Sequence, residues 1–206
     1  MKLTKSCNNP RVEDYKALLH LLGYLRQYPY YAIKYYTNIK ESPVYQIIQQ
    51  QNIEMTELTA FSDASWQDCP DTGRSTIGNK IFYQGGLIEW CSAVPIPVAL
   101  STAEAEYMSA CSACMALAHL SMLTYDLENL GNKHYQIDHK LTNIPNILMI
   151  DNEATVRMSK NYQPTKKNRH IARRYHYVRQ GQDEGKHLII WVPAENQLAD
   201  DLTKHT

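Results

Sequence analysis

Acidic side chains at Asp63, Glu104, Glu106, Asp151, Asp200 and Asp201 all stand where a strand should end or a helix should begin. They are either a converging set of metal ligands or a scatter of helix caps and solvated charges. Asp63 lies inside the strand-like run Phe61-Ser62-Asp63-Ala64-Ser65, where aspartate is disfavoured. Ser101-x-x-Glu104 has the form of a capping box, with the glutamate reaching back to the amide of the cap residue, so Glu104 has a structural explanation. Glu106 has none. It sits two residues further on, about 200° around a helix from Glu104, so the two cannot face one site. Asp151 closes the apolar run Ile147-Leu148-Met149-Ile150, and Asn152 could cap the following helix in its place. An acid at the carboxyl end of a central strand is where open α/β sheets bind ligands, although a plain cap remains the alternative. Asp200 and Asp201 point about 100° apart on a helix, so only one can face the sheet. Four carboxylates gathered from four elements would repel one another without cations. As a cage they suit hard, oxygen-seeking Mg²⁺ or Mn²⁺. Two such ions about 3.5–4 Å apart serve in-line phosphodiester cleavage.

Charge distribution supports a phosphate-bearing partner. The chain has 206 residues with 21 basic and 21 acidic side chains, so there is no global basic excess. Residues 154–186 nevertheless carry nine Lys/Arg (Arg157, Lys160, Lys166, Lys167, Arg169, Arg173, Arg174, Arg179, Lys186) against Asp183 and Glu184. Beside Asp151, that concentration reads as a local footprint for phosphates, the alternative being a solvated helix face. Tyr162, Tyr175 and Tyr177 are interleaved with it, in a chain of fifteen tyrosines and two phenylalanines. Tyrosine suits half-buried positions and grooves. The five cysteines have no disulfide or zinc spacing, and Cys111-x-x-Cys114 falls mid-helix as two small core residues. With no signal-peptide pattern and no apolar run of about 18 residues, a thiol-reduced intracellular protein is expected.

The elements that must position these side chains follow from periodicity. Asn9-Pro10 offers a cap and a first-turn proline, and Leu18, Leu21, Leu22 and Leu25 form one stripe, which predicts a helix over 10–27. A short aromatic strand is expected over Tyr30–Tyr36, then a linker or irregular connection over 37–56. Runs 57–64, 76–83 and 87–92, parted by turn-formers, predict an antiparallel meander. A long helix is expected over 102–130, stopped by Gly131, with a polar loop over 132–145. Residues 147–150 read as a strand buried on both faces, followed by a short helix to Lys160 and a basic loop to Asn168. A helix over 170–184, a strand over 188–192 and a terminal helix from Asn196 complete the chain. The fold class is α/β, a mixed five-stranded sheet of three antiparallel and two parallel strands flanked by helices. Residues 1–56 form an N-terminal helical appendage to a 57–206 domain.

Several blocks in one order carry a family resemblance. They are Phe61-Ser62-Asp63-Ala64-Ser65-Trp66, Arg74-Ser75-Thr76-x-Gly78, Val98-Ala99-Leu100-Ser101-x-x-Glu104-Ala105-Glu106-Tyr107 and Asp151-Asn152. Arg169-His170-Ile171-x-x-Arg174-Tyr175-His176-x-Val178-Arg179 and Gln197-Leu198-Ala199-Asp200-x-Leu202-Thr203-Lys204 follow. Together they resemble the ribonuclease H domain of copia-type (Pseudoviridae) LTR-retrotransposon Gag-Pol polyproteins. Residues 1–36 resemble the connection segment between reverse transcriptase and nuclease in those polyproteins.

The resemblance implies the ribonuclease H fold and two-metal-ion hydrolysis of the RNA strand of RNA/DNA hybrids, leaving 5′-phosphate and 3′-hydroxyl ends. It implies Asp63, Glu106, Asp151 and Asp200 as catalytic and metal-binding residues for two Mg²⁺, with Mn²⁺ as a substitute. Asn152, Lys166, Lys167, Arg169, Arg173, Arg174 and Asn196 are the candidate nucleic-acid contacts. The implied partners are the hybrid and a reverse transcriptase domain, without a membrane, in a cytoplasmic virus-like particle or the nucleus. Two departures stand out. Val192-Pro193-Ala194-Glu195 has no histidine where many ribonucleases H carry a mobile one, and Trp90 is followed by Cys91-Ser92-Ala93-Val94 rather than lysines. No paired-aspartate polymerase motif is present. A catalytically silent ribonuclease H-fold module partnering a reverse transcriptase, and a DNA nuclease or integrase-like enzyme, are the competing readings.

Overall fold

The computed structural model describes residues 7–69, 72–130, 145–161 and 172–204. The chain forms two compact units, Met1–Lys34 and Tyr35–Thr206. In the first, helix α1 (Val12–Gln27) begins two residues after Pro10, where the Arg11 amide donates to Asp14 Oδ2 at 2.8 Å. The expected strand over Tyr30–Tyr36 is absent. Its aromatic residues are β-prone, but a strand needs a neighbour to take its backbone hydrogen bonds, and Tyr30 stands 94% exposed.

The second unit holds a five-stranded sheet of β1 (Leu58–Ser65), β2 (Thr76–Tyr83), β3 (Gly86–Ala93), β4 (Asn146–Ile150) and β5 (His187–Trp191). The spatial order is β3-β2-β1-β4-β5. β1 runs antiparallel to β2, as β2 does to β3, whereas β1–β4 and β4–β5 are parallel. This is the ribonuclease H-like α/β fold. Crossing between β3 and β4 is helix α3 (Thr102–Asn129), whose Tyr107, Ala110, Cys111, Cys114 and Leu117 pack on Leu58 and Ala60 of β1. Helices α4 (Glu153–Asn161) and α5 (Ala172–Asp183) flank β5. By length and composition Thr102–Leu127 is apolar enough to cross a membrane, a run not anticipated from the sequence; half of it is buried in this core.

Two expectations are corrected here. Residues 37–56 are not wholly irregular, because they contain helix α2 (Pro43–Gln50), capped by Ser42 Oγ accepting from the Val44 amide at 3.2 Å. Its Val44, Ile47 and Ile48 are buried with Phe61, Phe82, Ile147 and Met149 on the sheet face opposite α3. The expected terminal helix is replaced by two 3-10 turns, Ala194–Asn196 and Asp200–Leu202. This segment lies so close to β2 that a Cβ on Gly78 would stand 2.8 Å from Thr203 Cγ2. An α-helical cylinder, about 10–12 Å across with its side chains, has no room there. Gly131 and both loops expected after α3 and α4 lie outside the described residues.

Candidate metal centre

Parallel pairing fixes the first two carboxylates. Phe61 of β1 is level with Met149 of β4, so two residues further on Asp63 comes level with Asp151, just beyond the end of β4. Glu106 enters from the second turn of α3, which packs along β1. One carboxylate oxygen from each of Asp63, Glu106 and Asp151 lies within 4.8 Å of the others. Asp63 and Glu106 are only 5% and 4% exposed, while Asp151 is half-buried.

Burial is the main cause of raised carboxyl pKa values throughout the cluster. It lifts Glu106 to about 9, with Asp63 and Asp151 adding repulsion and the Ala64 amide opposing it. Asp63 and Asp151 are raised for the same leading reason. Repulsion from Asp200 contributes to all three shifts, but Asp200, paired with Lys204, is not among the described carboxylates that lie within 4.8 Å of one another. Asp201 turns away, pairing with Lys80 at 2.7 Å. Glu104 also faces elsewhere. It is part of the α3 cap, where its amide donates to Ser101 Oγ at 3.2 Å. Its Oε2 accepts from the Leu100 amide, one residue before the cap residue expected.

Divalent-cation chemistry fits these donors. The cluster offers only carboxylate oxygens, as hard cations prefer. Glu106 Oε2 and Asp151 Oδ1 are buried with no hydrogen-bond partner among the described residues. Buried acceptors in that condition are costly unless something positive meets them.

Three side chains unassigned from the sequence support the cluster, although all belong to the block Gln197–Lys204. Gln197 Nε2 donates to Ser62 O at 2.9 Å, and the same side chain hydrogen-bonds to Asp151. Thr203 Oγ1 donates to Asp63 Oδ2. Lys204 pairs with Asp200, which raises the lysine pKa.

The expected nucleic-acid contacts fare differently. Asn152 Oδ1 accepts from the Thr155 amide at 3.0 Å, so it caps α4 directly beside Asp151. Asn196 donates through Nδ2 to Gln50 Oε1 at 3.0 Å. Arg174 lies on α5 near Cys111, where its charge acts on the thiol, rather than among the carboxylates. Arg173 is on α5, and Lys166, Lys167 and Arg169 lie outside the described residues. Within the basic segment, Arg157 pairs with Glu153, Arg179 with Asp183 and Lys186 with Glu184. None of the cysteines is in a disulfide, and Cys111 and Cys114 are buried core residues.

Comparison with known proteins finds relatives in both sequence and structure. The Pol polyprotein of transposon TNT 1-94 from Nicotiana tabacum is 29% identical over 147 residues, 71% of this chain. That of transposon RE2 from Arabidopsis thaliana is 28% identical over 203 residues, 98% of this chain. The matches span only 10% and 12% of those polyproteins. The secreted RxLR effector protein 161 of Plasmopara viticola is 26% identical over 122 residues, covering 59% of this chain and 75% of the effector. Among solved structures, LC11-RNase H1, isolated from compost, superposes with a TM-score of 0.49 at 19% identity, covering 72% of this chain and 93% of its own. The same protein in complex with an RNA/DNA hybrid gives 0.48 at 19% identity, covering 70% and 92%. No family model matches the chain. The chain has a ribonuclease H-like fold and is similar, at modest identity, to a short stretch of the retrovirus-related Pol polyproteins of transposons TNT 1-94 and RE2.

Proposed function

We propose that this chain is a divalent-metal-dependent endoribonuclease that hydrolyses the RNA strand of RNA/DNA hybrids during retrotransposon reverse transcription, beside a reverse transcriptase. The observation that carries this reading is the convergence of Asp63, Glu106 and Asp151 from three separate elements, with two of their buried oxygens unpartnered. A silent structural module gains nothing from so costly an arrangement. The similarity to retrovirus-related Pol polyproteins supports the setting of reverse transcription.

Asp63, Glu106, Asp151 and Asp200 would hold two Mg²⁺, with Mn²⁺ as substitute, supplying charge stabilisation and an activated water for phosphodiester hydrolysis. The chain's own residues fix the ligands. Gln197 holds Asp151, Thr203 holds Asp63, and the Asn152 cap fixes where α4 leaves the strand end. Asn152, Lys166, Lys167, Arg169, Arg173, Arg174 and Asn196 remain the proposed contacts to nucleic acid.

Asp151→Asn is expected to abolish Mg²⁺-dependent cleavage of a labelled hybrid while leaving circular dichroism and cooperative melting intact. Full activity in that variant would overturn the proposal. A parallel panel of hybrid, duplex DNA and duplex RNA decides the substrate, and preferential cutting of duplex DNA would point to a DNA nuclease.

A further inference from the structure

The turn carrying Asp200 is pinned along a single row of the sheet. Asp63, Gly78 and Ser92 face one another across β1, β2 and β3. Residues 199–203 pass directly over that row. On β1, Thr203 Oγ1 donates to Asp63 Oδ2, and it lies 3.1 Å from the carbonyl of Asp200. On β2, a Cβ at Gly78 would meet Thr203 Cγ2 at 2.8 Å, Leu202 Cβ at 2.9 Å and Ala199 O at 3.2 Å. On β3, Ser92 Oγ donates to Leu202 O at 2.8 Å. Lys80, two residues along β2 from Gly78, holds Asp201 at 2.7 Å. Thr203 is 2% exposed.

We propose that Thr203 is a positioning residue, whose hydroxyl fixes the rotamer of Asp63 and ties it to the turn that delivers Asp200. The inference rests on the metal-binding reading above and names what holds two of its ligands in register. With one hydrogen to give, the hydroxyl serves the charged acceptor, the stronger of its two neighbours. One Asp63 oxygen is thereby held by the hydroxyl, and the Ala64 amide also donates to the carboxylate. The β-branched side chain has little χ1 freedom. Its methyl group occupies the space where residue 78 has no side chain. Gly78 is thus required by close approach alone, since its φ is not positive.

The test compares wild type with Thr203→Val, which keeps the shape and removes the hydroxyl, Thr203→Ser, which restores it, and Gly78→Ala, which pushes the turn off the sheet. Mg²⁺ binding is read by calorimetry and by the rise in melting temperature with added Mg²⁺. Hydrogen exchange of amides 199–204 is read in metal-free protein. Thr203→Val is expected to raise the half-saturating Mg²⁺ roughly tenfold, as the loss of an outer-shell partner does, with KM for hybrid at saturating Mg²⁺ unchanged. Thr203→Ser should stay close to wild type, and both Thr203→Val and Gly78→Ala should speed exchange at 199–204. Wild-type Mg²⁺ dependence in Thr203→Val would overturn the inference, as would failure of the serine to restore it. Should Thr203→Val not fold, Gly78→Ala carries the same Mg²⁺ comparison. A wild type with no Mg²⁺ response would sink the metal-binding reading instead, and amide exchange would still decide whether Thr203 docks the turn.

Discussion

Glu106 is held far from its ordinary ionisation. Burial, then repulsion from Asp63 and Asp151, raises its pKa from 4.5 to about 9, so at neutral pH the metal-free site holds a proton there. Because the folded value exceeds the unfolded one, the stability gained by keeping that proton is complete below about pH 4.5 and is lost as pH rises through about 9. Metal-free protein should therefore melt at lower temperature as pH climbs across this window, and Glu106→Gln should flatten the slope. At pH 8 that variant should melt higher than wild type, by roughly 2–4 °C for each kcal/mol of strain relieved. A steeper slope in the glutamine variant would contradict the assignment. Divalent binding must displace the same proton, so apparent Mg²⁺ affinity should rise with pH, and calorimetry in buffers of different ionisation heat should register proton release. The choice between Glu104 and Glu106 was legible from helical angle and the capping pattern. Thr203 was not, because nothing in its spacing says that a hydroxyl from the chain's end reaches a strand carboxylate.

Among the elements, the five strands of the sheet and α3 were readable because their periods and turn residues agree with their final burial, unlike the aromatic run Tyr30–Tyr36. Short pieces were not. Helix α2 has eight residues, too few to establish a period, and its Gln46, Gln49 and Gln50 mask the buried triplet Val44, Ile47 and Ile48. The C-terminal turns misread as a helix for the opposite reason: their residues suit a helix, and close packing on β2 overrides that preference. Helix α2 is part of the packed core rather than a tether. Ile48 is fully buried, so Ile48→Ala should cost about 2–5 kcal/mol, seen as a lower urea midpoint with an unchanged slope. A loss below about 0.5 kcal/mol, the range of an ordinary surface substitution, would mean that α2 is not integral to this unit.

At the scale of the whole molecule, the overall charge and the site pull in opposite directions. The chain carries 21 basic and 21 acidic residues, so no broad positive field draws in a polyanion. The basic segment was legible as a count of charges, but a sequence does not display partners, and Arg157, Arg179 and Lys186 each have an acidic one. On the proposed function, the negative cluster meanwhile occupies the place where the scissile phosphate must come. Without divalent ions it should repel hybrid. Removing a single carboxylate charge about 6 Å from a phosphate relieves roughly 0.7 kcal/mol in a water-like dielectric, a factor of about three in affinity. Asp151→Asn, the variant expected to abolish cleavage, should therefore bind hybrid about threefold more tightly than wild type in EDTA. Fluorescence anisotropy at low salt reads this directly. The advantage should shrink as ionic strength rises, because the screening length falls to about 8 Å at physiological salt. Equal or weaker binding by Asp151→Asn would show that the phosphate does not approach these carboxylates, separating the site from the substrate path.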